Sequence, residues 1–389
     1  MKTNINQFTN EKFFGREKEL SELCKRLGLE DSDLEQYNSF QFAAPRRVGK
    51  TFLATEILKK AQEKEYFGVF IDVEGCLDET YFIETFVSKL LETNFLPEKI
   101  SKKLQGLRSV SITILGTGGA GEWEKKKTTI YKELENILKE FKGNAIIVID
   151  ELTIFLENLK EKASPFLFWL KSLRKKYKNI RWIYCSSMSI EAFIEENNLQ
   201  KSTIDIESFD LGEFNKEEAI LFIKKLAREK IEFNNECIDY LLKKIGWKLP
   251  HYIQILFSEI CKLITENQQV SNTIIDQAYS NALNNKNIVS YFKIMKADLK
   301  QYKEYEKCVK KILEALSYNA TGVSENTIKT MIYEVKSDEN DIDKIFNRLK
   351  TGGYIMKNQN NKYTFRSPLL RDYWKDQIDK NKINKLWKK

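Results

Sequence analysis

The sequence predicts an α/β domain on a parallel sheet, then an all-helical segment, then three helices closed by a β-hairpin. Three observations predict this. Up to about residue 212, short β-rich runs alternate with helix-period runs. From about Asn215 only the helical period continues, and from about Tyr302 helices give way to two short strands. The expected boundaries are therefore 1–212, 213–300 and 301–389.

The strands expected in the first segment are Ser39–Ala43, Tyr66–Val73, Ala145–Asp150, Arg181–Cys185 and Thr203–Phe209. Several are near-continuous apolar runs, as parallel strands covered on both faces require. Between them the 3.6-residue period predicts helices over Glu17–Leu27, Thr51–Glu63, Glu79–Leu91, Ile130–Glu140 and Phe166–Lys178. The second segment has a helix after Asn215, another over Asn235–Lys244 ending at Gly246, and a third opened by Pro250. The third segment has helices over Tyr305–Leu316, from Ser324, and over Asp338–Leu349. Two strands, YIMKN and KYTFR, then flank Gln359–Asn361, which is the element order of a winged helix.

Composition excludes several classes. The 389 residues carry a net charge of +8, but arginine supplies only eleven of the 64 basic residues. A lysine-heavy balance speaks for solubility more than for nucleic-acid binding. A single histidine argues against Ser-His-Asp hydrolysis and His-rich metal sites. Six isolated cysteines, none in a CxxC pair, argue against zinc or a disulfide framework. No apolar run approaches the roughly twenty residues of a membrane span, and Met1–Phe14 lacks the pattern of a secretory signal. A reducing cytoplasm is the expected compartment.

The strongest motif is Ala44-Pro-Arg-Arg-Val-Gly-Lys50-Thr51, set between a predicted strand and a predicted helix. It matches the phosphate-loop pattern G-x-x-x-x-G-K-[ST] except at Ala44. In such a loop successive backbone amides wrap phosphate oxygens, and the helix N-terminus adds its positive end. Gly49 lets the backbone approach, Lys50 reaches the β/γ oxygens and Thr51 offers a hydroxyl to Mg²⁺. Pro45 stiffens the turn, and Arg46, Arg47, Val48 and Phe52 complete the expected contact set. A phosphate loop also needs a metal carboxylate on a neighbouring strand. Ile146-Ile-Val-Ile-Asp150-Glu151 supplies it: Asp150 for Mg²⁺, and Glu151 to orient or deprotonate the attacking water. Gly116-Thr-Gly-Gly-Ala-Gly121, after Val110–Leu115, spells a competing G-x-G-x-x-G. The acid ending the next strand, Asp150, stands 29 residues past Gly121 rather than about twenty, so the expectation is a glycine-rich loop or hairpin inserted near 108–125.

With these residues located, the chain resembles the archaeal-type ATPases of the signal-transduction (STAND) class, which are related to the AAA+ origin-recognition ATPases. Phe14-Gly-Arg-Glu17, Pro45–Thr51, Cys185-Ser-Ser187, Gly246-Trp-Lys-Leu-Pro-His-Tyr252 and the ending Phe365–Trp374 carry the likeness. Ala44 stands where the family usually has glycine, and the Gly246–Pro250 spacing is longer than usual. The resemblance implies a P-loop NTPase core, a helical lid and a winged helix. It implies Phe14, Gly15 and Arg16 beside the adenine, and Ser186 or Ser187 (Ser187 preferred) at the attacking water or γ-phosphate. It implies Pro250 and His251 on the lid near the nucleotide. Arg174, on a basic helix, is either an arginine acting in trans within an oligomer or part of a solvated basic face.

The function so implied is an ATP-binding, Mg²⁺-dependent ATPase, slow alone, that switches conformation with ATP and ADP and regulates a protein partner or effector. One alternative is a DNA-binding or remodelling factor. It is disfavoured because the recognition helix would open on acidic residues from Asp338 to Asp343, with Lys357 and Lys362 on a mild wing. Another is an immune-type sensor or scaffold holding structural ADP. The basic stretch Lys380–Lys389 is expected to be a solvated end.

Overall fold

The computed structural model describes residues 14–93, 96–114, 116, 119–187, 190–197, 199, 203–227, 231–264, 268–333 and 339–386. By contact they form two units: residues up to 44 together with 49–211, and residues 45–48 together with those from 212 onward.

The first unit is built on five strands: β1 (Ser39–Ala43), β2 (Phe67–Asp72), β3 (Ala145–Asp150), β4 (Ile180–Ser186) and β5 (Glu207–Ser208). They pair in parallel in the order β2-β3-β4-β1-β5. The central β3 is buried at all six positions, which explains its unbroken apolar run. Its helices are α1 (Glu17–Arg26), α2 (Lys50–Glu63), α3 (Glu79–Leu91), α4 (Glu98–Thr113), α5 (Gly119–Glu140), α6 (Leu152–Leu159), α7 (Ala163–Lys176) and α8 (Ile190–Glu196). Phe82, Phe86, Phe155, Phe166 and Trp182 form an aromatic core in this unit, all at most 1% exposed. Each such side chain contributes roughly 1.5–3 kcal/mol of burial.

The glycine-rich segment corrects the expected loop or hairpin. Residues 98–113 and 119–140 are helices, so Gly116 lies at a junction and Gly119–Gly121 open α5. The reason is an apolar stripe. Ile100, Leu104 and Leu107 are buried on α4, and Trp123, Ile130, Leu134 and Ile137 on α5. Glu79, buried at the start of α3, fastens the second helix by accepting from Lys127 Nζ (2.6 Å) and Tyr131 Oη (2.9 Å).

Two further expectations change. The strand expected over Thr203–Phe209 shrinks to Glu207–Ser208, because Ile206 N donates to Thr203 O in a turn. There Asp205 accepts two bonds from Arg174, from Nε at 2.9 Å and from Nη2 at 3.0 Å. Arg174 is therefore 1% exposed and also donates to Tyr184 Oη at 3.1 Å. This overturns the solvated-face reading for Arg174 and keeps its guanidinium from extending in trans.

The second unit holds α9 (Lys216–Ala227), α10 (Asn235–Ile245), α11 (Pro250–Cys261), α12 (Asn272–Ala282), α13 (Lys286–Asp298), α14 (Glu306–Tyr318), α15 (Glu325–Tyr333) and α16 (Glu339–Thr351). The antiparallel pair β6 (Ile355–Lys357) and β7 (Tyr363–Phe365) and α17 (Pro368–Leu386) complete it. Side chains cap most of these starts. Asn215 and Glu218 exchange backbone bonds as a capping box, and Asn234, Ser271 and Asn285 cap α10, α12 and α13. Gly246 ends α10 at φ +69°, where a Cβ would stand 2.5 Å from Pro368. The basic ending is helical through Leu386. Residues 387–389 and the Asp338 opening of the recognition helix lie outside the described residues. No helix among the described residues is long and apolar enough to cross a membrane.

Arg174→Ala leaves a half-buried carboxylate and a buried tyrosine hydroxyl without their donor. It is expected to destabilise the protein by about 3–5 kcal/mol, as a fall in the urea unfolding midpoint.

Candidate functional site

In the first unit the site grows from the ends of β1, β3 and β4. Gly49 takes φ +105° and forms the N-cap of α2. Nothing lies within 4 Å of a Cβ built there, so it is the backbone conformation, not space, that demands glycine. The first amides of α2 have no intrahelical acceptor and point out of its start. Lys50 is buried, with Nζ donating to Ala44 O at 2.5 Å across the turn.

Thr51 Oγ1 donates to Asp150 Oδ2 at 2.9 Å. This contact carries a correction. β3 does not adjoin β1, because β4 lies between them, with Asp150 paired to Cys185 and Ala43 to Ser186. The neighbouring-strand expectation fails. The proximity survives because α2 packs over β2, β3 and β4, carrying Thr51 across the intervening strand.

Asp150 is 7% exposed. Burial first, then the Glu151 carboxylate and more weakly Asp72, pushes its carboxyl up to about 6. The Thr51 hydroxyl and Lys50 ammonium pull the other way without prevailing. Glu151 has φ +57°, a left-handed conformation costly for a side-chain-bearing residue. Its amide donates to Asp150 Oδ1 at 3.1 Å. Ser187 Oγ stands 3.4 Å from Glu151 Oε2, whereas Ser186 Oγ accepts from Thr153 N at 3.3 Å near the start of α6. The structure thus separates the two serines: one meets the acid and the other caps a helix.

Among the described residues no group of three or more His, Cys, Asp or Glu side chains could hold a metal unaided. The donor set still fits Mg²⁺, which keeps waters and takes one or two carboxylates plus substrate phosphates. A hydroxyl and a carboxylate in contact beside a lysine are such a set.

Gly15, Arg16 and Phe14 meet a different arrangement. Gly15 has φ +81° and its amide donates to Glu17 Oε2. Arg16 is 5% exposed and pairs with Glu19 at 2.7 Å. These residues shape the start of α1, after a half-buried Phe14. Phe52 is half-buried on α2.

In the second unit, residues 45–48 are held from several sides. Tyr291 Oη donates to Arg46 O at 3.2 Å, and Arg46 Nε faces Asp298 at 3.9 Å. Arg47, exposed and at φ +70°, lies with its guanidinium 5.9 Å from the Tyr291 ring centre. Val48 is buried, and Pro45 stands 3.1 Å from where a Cβ on Gly353 would be. Pro250 occupies the first turn of α11. Beside it, the His251 ring lies 5.9 Å from Tyr291. Burial, then Arg47, lowers its imidazolium to about 4, so His251 is neutral at pH 7. The sequence reasoning missed Tyr291, 245 residues from Arg46 with no local signal. It also missed Asp72, which pairs in register with Asp150 and could have been found as the acid at the same end of the preceding strand.

An acid with a raised folded-state value binds its proton more tightly folded than unfolded. Ionising Asp150 therefore removes stability as pH climbs from about 4 through about 6. Asp150→Asn is expected to stabilise the nucleotide-free protein by on the order of 2 kcal/mol at pH 8. The gain should fade towards pH 4, as followed by thermal unfolding at both values.

A family model described as an AAA-like domain matches residues 38–328. No curated protein matches the sequence to a significant degree. Among solved structures, the chain is similar to the Walker-type ATPase PABY2304 of Pyrococcus abyssi. The identity is 15% and the TM-score 0.64, covering 93% of this chain and 96% of that one. It is also similar to the ORC2 protein of Aeropyrum pernix in its ADPNP–ADP complexes, at 11% identity and TM-score 0.52, covering 97% and 99%. At such identities the likeness shows the fold, a parallel five-stranded sheet of the P-loop NTPase kind.

Proposed function

The chain belongs to the AAA-like domain family, and we propose that it is an ATP-binding, Mg²⁺-dependent ATPase working as a nucleotide-controlled switch on a protein partner. The observation that carries this is the contact between Thr51 and Asp150 at the start of α2, beside Lys50. It brings together a cation, a hydroxyl and a carboxylate that lie up to 100 residues apart in the sequence.

In this reading the amides of residues 45–51 wrap the phosphates. Lys50 exchanges the Ala44 carbonyl for the β/γ oxygens. Thr51 and Asp150 would hold Mg²⁺, which would neutralise charge on the phosphates. Glu151 orients or deprotonates the water, with Ser187 hydrogen-bonded to it. Phe14, Gly15 and Arg16 serve the base. Pro250 and His251 belong to a helical lid, and residues 301–389 to a winged helix; both respond to the nucleotide. A neutral His251 would donate or accept a hydrogen bond at a phosphate without adding charge. With Arg174 committed to Asp205, turnover by the isolated chain is expected to be slow.

Lys50→Ala is expected to remove nucleotide binding measurable by calorimetry. Glu151→Gln should retain ATP affinity within about threefold while hydrolysis falls at least ~100-fold. A Glu151→Gln protein that turns over ATP at the wild-type rate would exclude Glu151 as the base.

A further inference from the structure

We infer that Tyr291 is a positioning residue for the phosphate loop, setting the peptide between Arg46 and Arg47 so that its amide faces the phosphates. The inference rests on reading residues 44–51 as a phosphate site and adds a part that no sequence motif contains.

The argument begins with the peptide group. In a trans peptide the C=O and the following N–H point in opposite directions. The Tyr291 hydroxyl donates to Arg46 O at 3.2 Å and so fixes which way that carbonyl points. The Arg47 N–H of the same peptide is then turned to the side away from Tyr291. Arg47 continues at φ +70°, the left-handed step that converges successive amides on an anion. A residue other than glycine needs support to stay there. The Tyr291 ring supplies it, 5.9 Å from the Arg47 guanidinium.

Tyr291 is itself immobilised. It is 1% exposed, and its ring packs at 5.7 Å from Phe292, 5.9 Å from His251 and 6.2 Å from Tyr252. One turn further along α13, Met295 O accepts from Tyr354 Oη at 2.6 Å, and Asp298 faces Arg46. Burial raises the Tyr291 hydroxyl to about 12, so it remains a donor throughout the physiological range. A hydroxyl on a rigid helix is thus aimed at one loop carbonyl.

The test is titration calorimetry of the full chain with Mg²⁺-ADP, a non-hydrolysable ATP analogue and adenosine, for wild type and Tyr291→Phe. Phenylalanine keeps the ring under Arg47 and removes the hydroxyl. The expected result is affinity for ADP and the analogue weakened about three- to tenfold, with adenosine binding unchanged. Amide hydrogen exchange should quicken at residues 46–49 and stay as in wild type along α13. Equal affinities in the two proteins would overturn the inference. So would a loss that includes adenosine, because a purely structural role affects all ligands alike. A wild-type chain that binds no nucleotide defeats the phosphate-site reading itself, whereas a binding wild type with an indifferent Tyr291→Phe defeats only the role of Tyr291.

Discussion

The hydrogen bond between Thr51 and Asp150 is the constraint from which the rest of the first unit's site follows. It joins the first turn of a helix to the end of a strand that its own preceding strand does not touch. For a 2.9 Å contact to exist there, α2 must cross the sheet at one angle and β3 must end at one residue. The apolar run of β3 sets the second condition, ending in two acids. Packing of Leu53, Ile57, Leu58 and Ala61 sets the first, since all four are fully buried. Site geometry is here a by-product of core packing.

The loop itself is supported unevenly. Gly49 and Lys50 are fixed by helix formation and a carbonyl contact, both local in sequence. Residues 45–48 depend instead on groups drawn from beyond residue 240: Tyr291, Asp298 and the turn at Gly353. A left-handed arginine makes this stretch a poor candidate to hold its shape alone, and tertiary contacts determine it.

This division explains what was legible in the sequence. Lys50, Thr51, Asp150 and Glu151 are recognisable because phosphate and metal chemistry demands fixed residue types at fixed positions on a strand or helix start. β3 could be bounded to the residue because it is a continuous apolar run ending in an acid, and β1 because the phosphate-loop motif follows it directly. The helical insertion was obscured by glycines that suggest a turn, although Trp123, Ile130, Leu134 and Ile137 already keep a helical period. Arg174 looked like one charge of a basic face because its partner, Asp205, lies 31 residues away in an irregular turn. Strand order was illegible for the same reason: pairing depends on which apolar faces meet, and local pattern is silent on that.

The left-handed backbone at Glu151 has a consequence for how such a chain can change. Glycine would relax that conformation and, by the same substitution, delete the acid beside Asp150. Robustness and chemistry therefore pull this one position in opposite directions. With Glu151 as the base proposed above, drift towards a sturdier protein would tend to erase the carboxylate first and leave behind a well-folded relative whose chemistry has fallen silent.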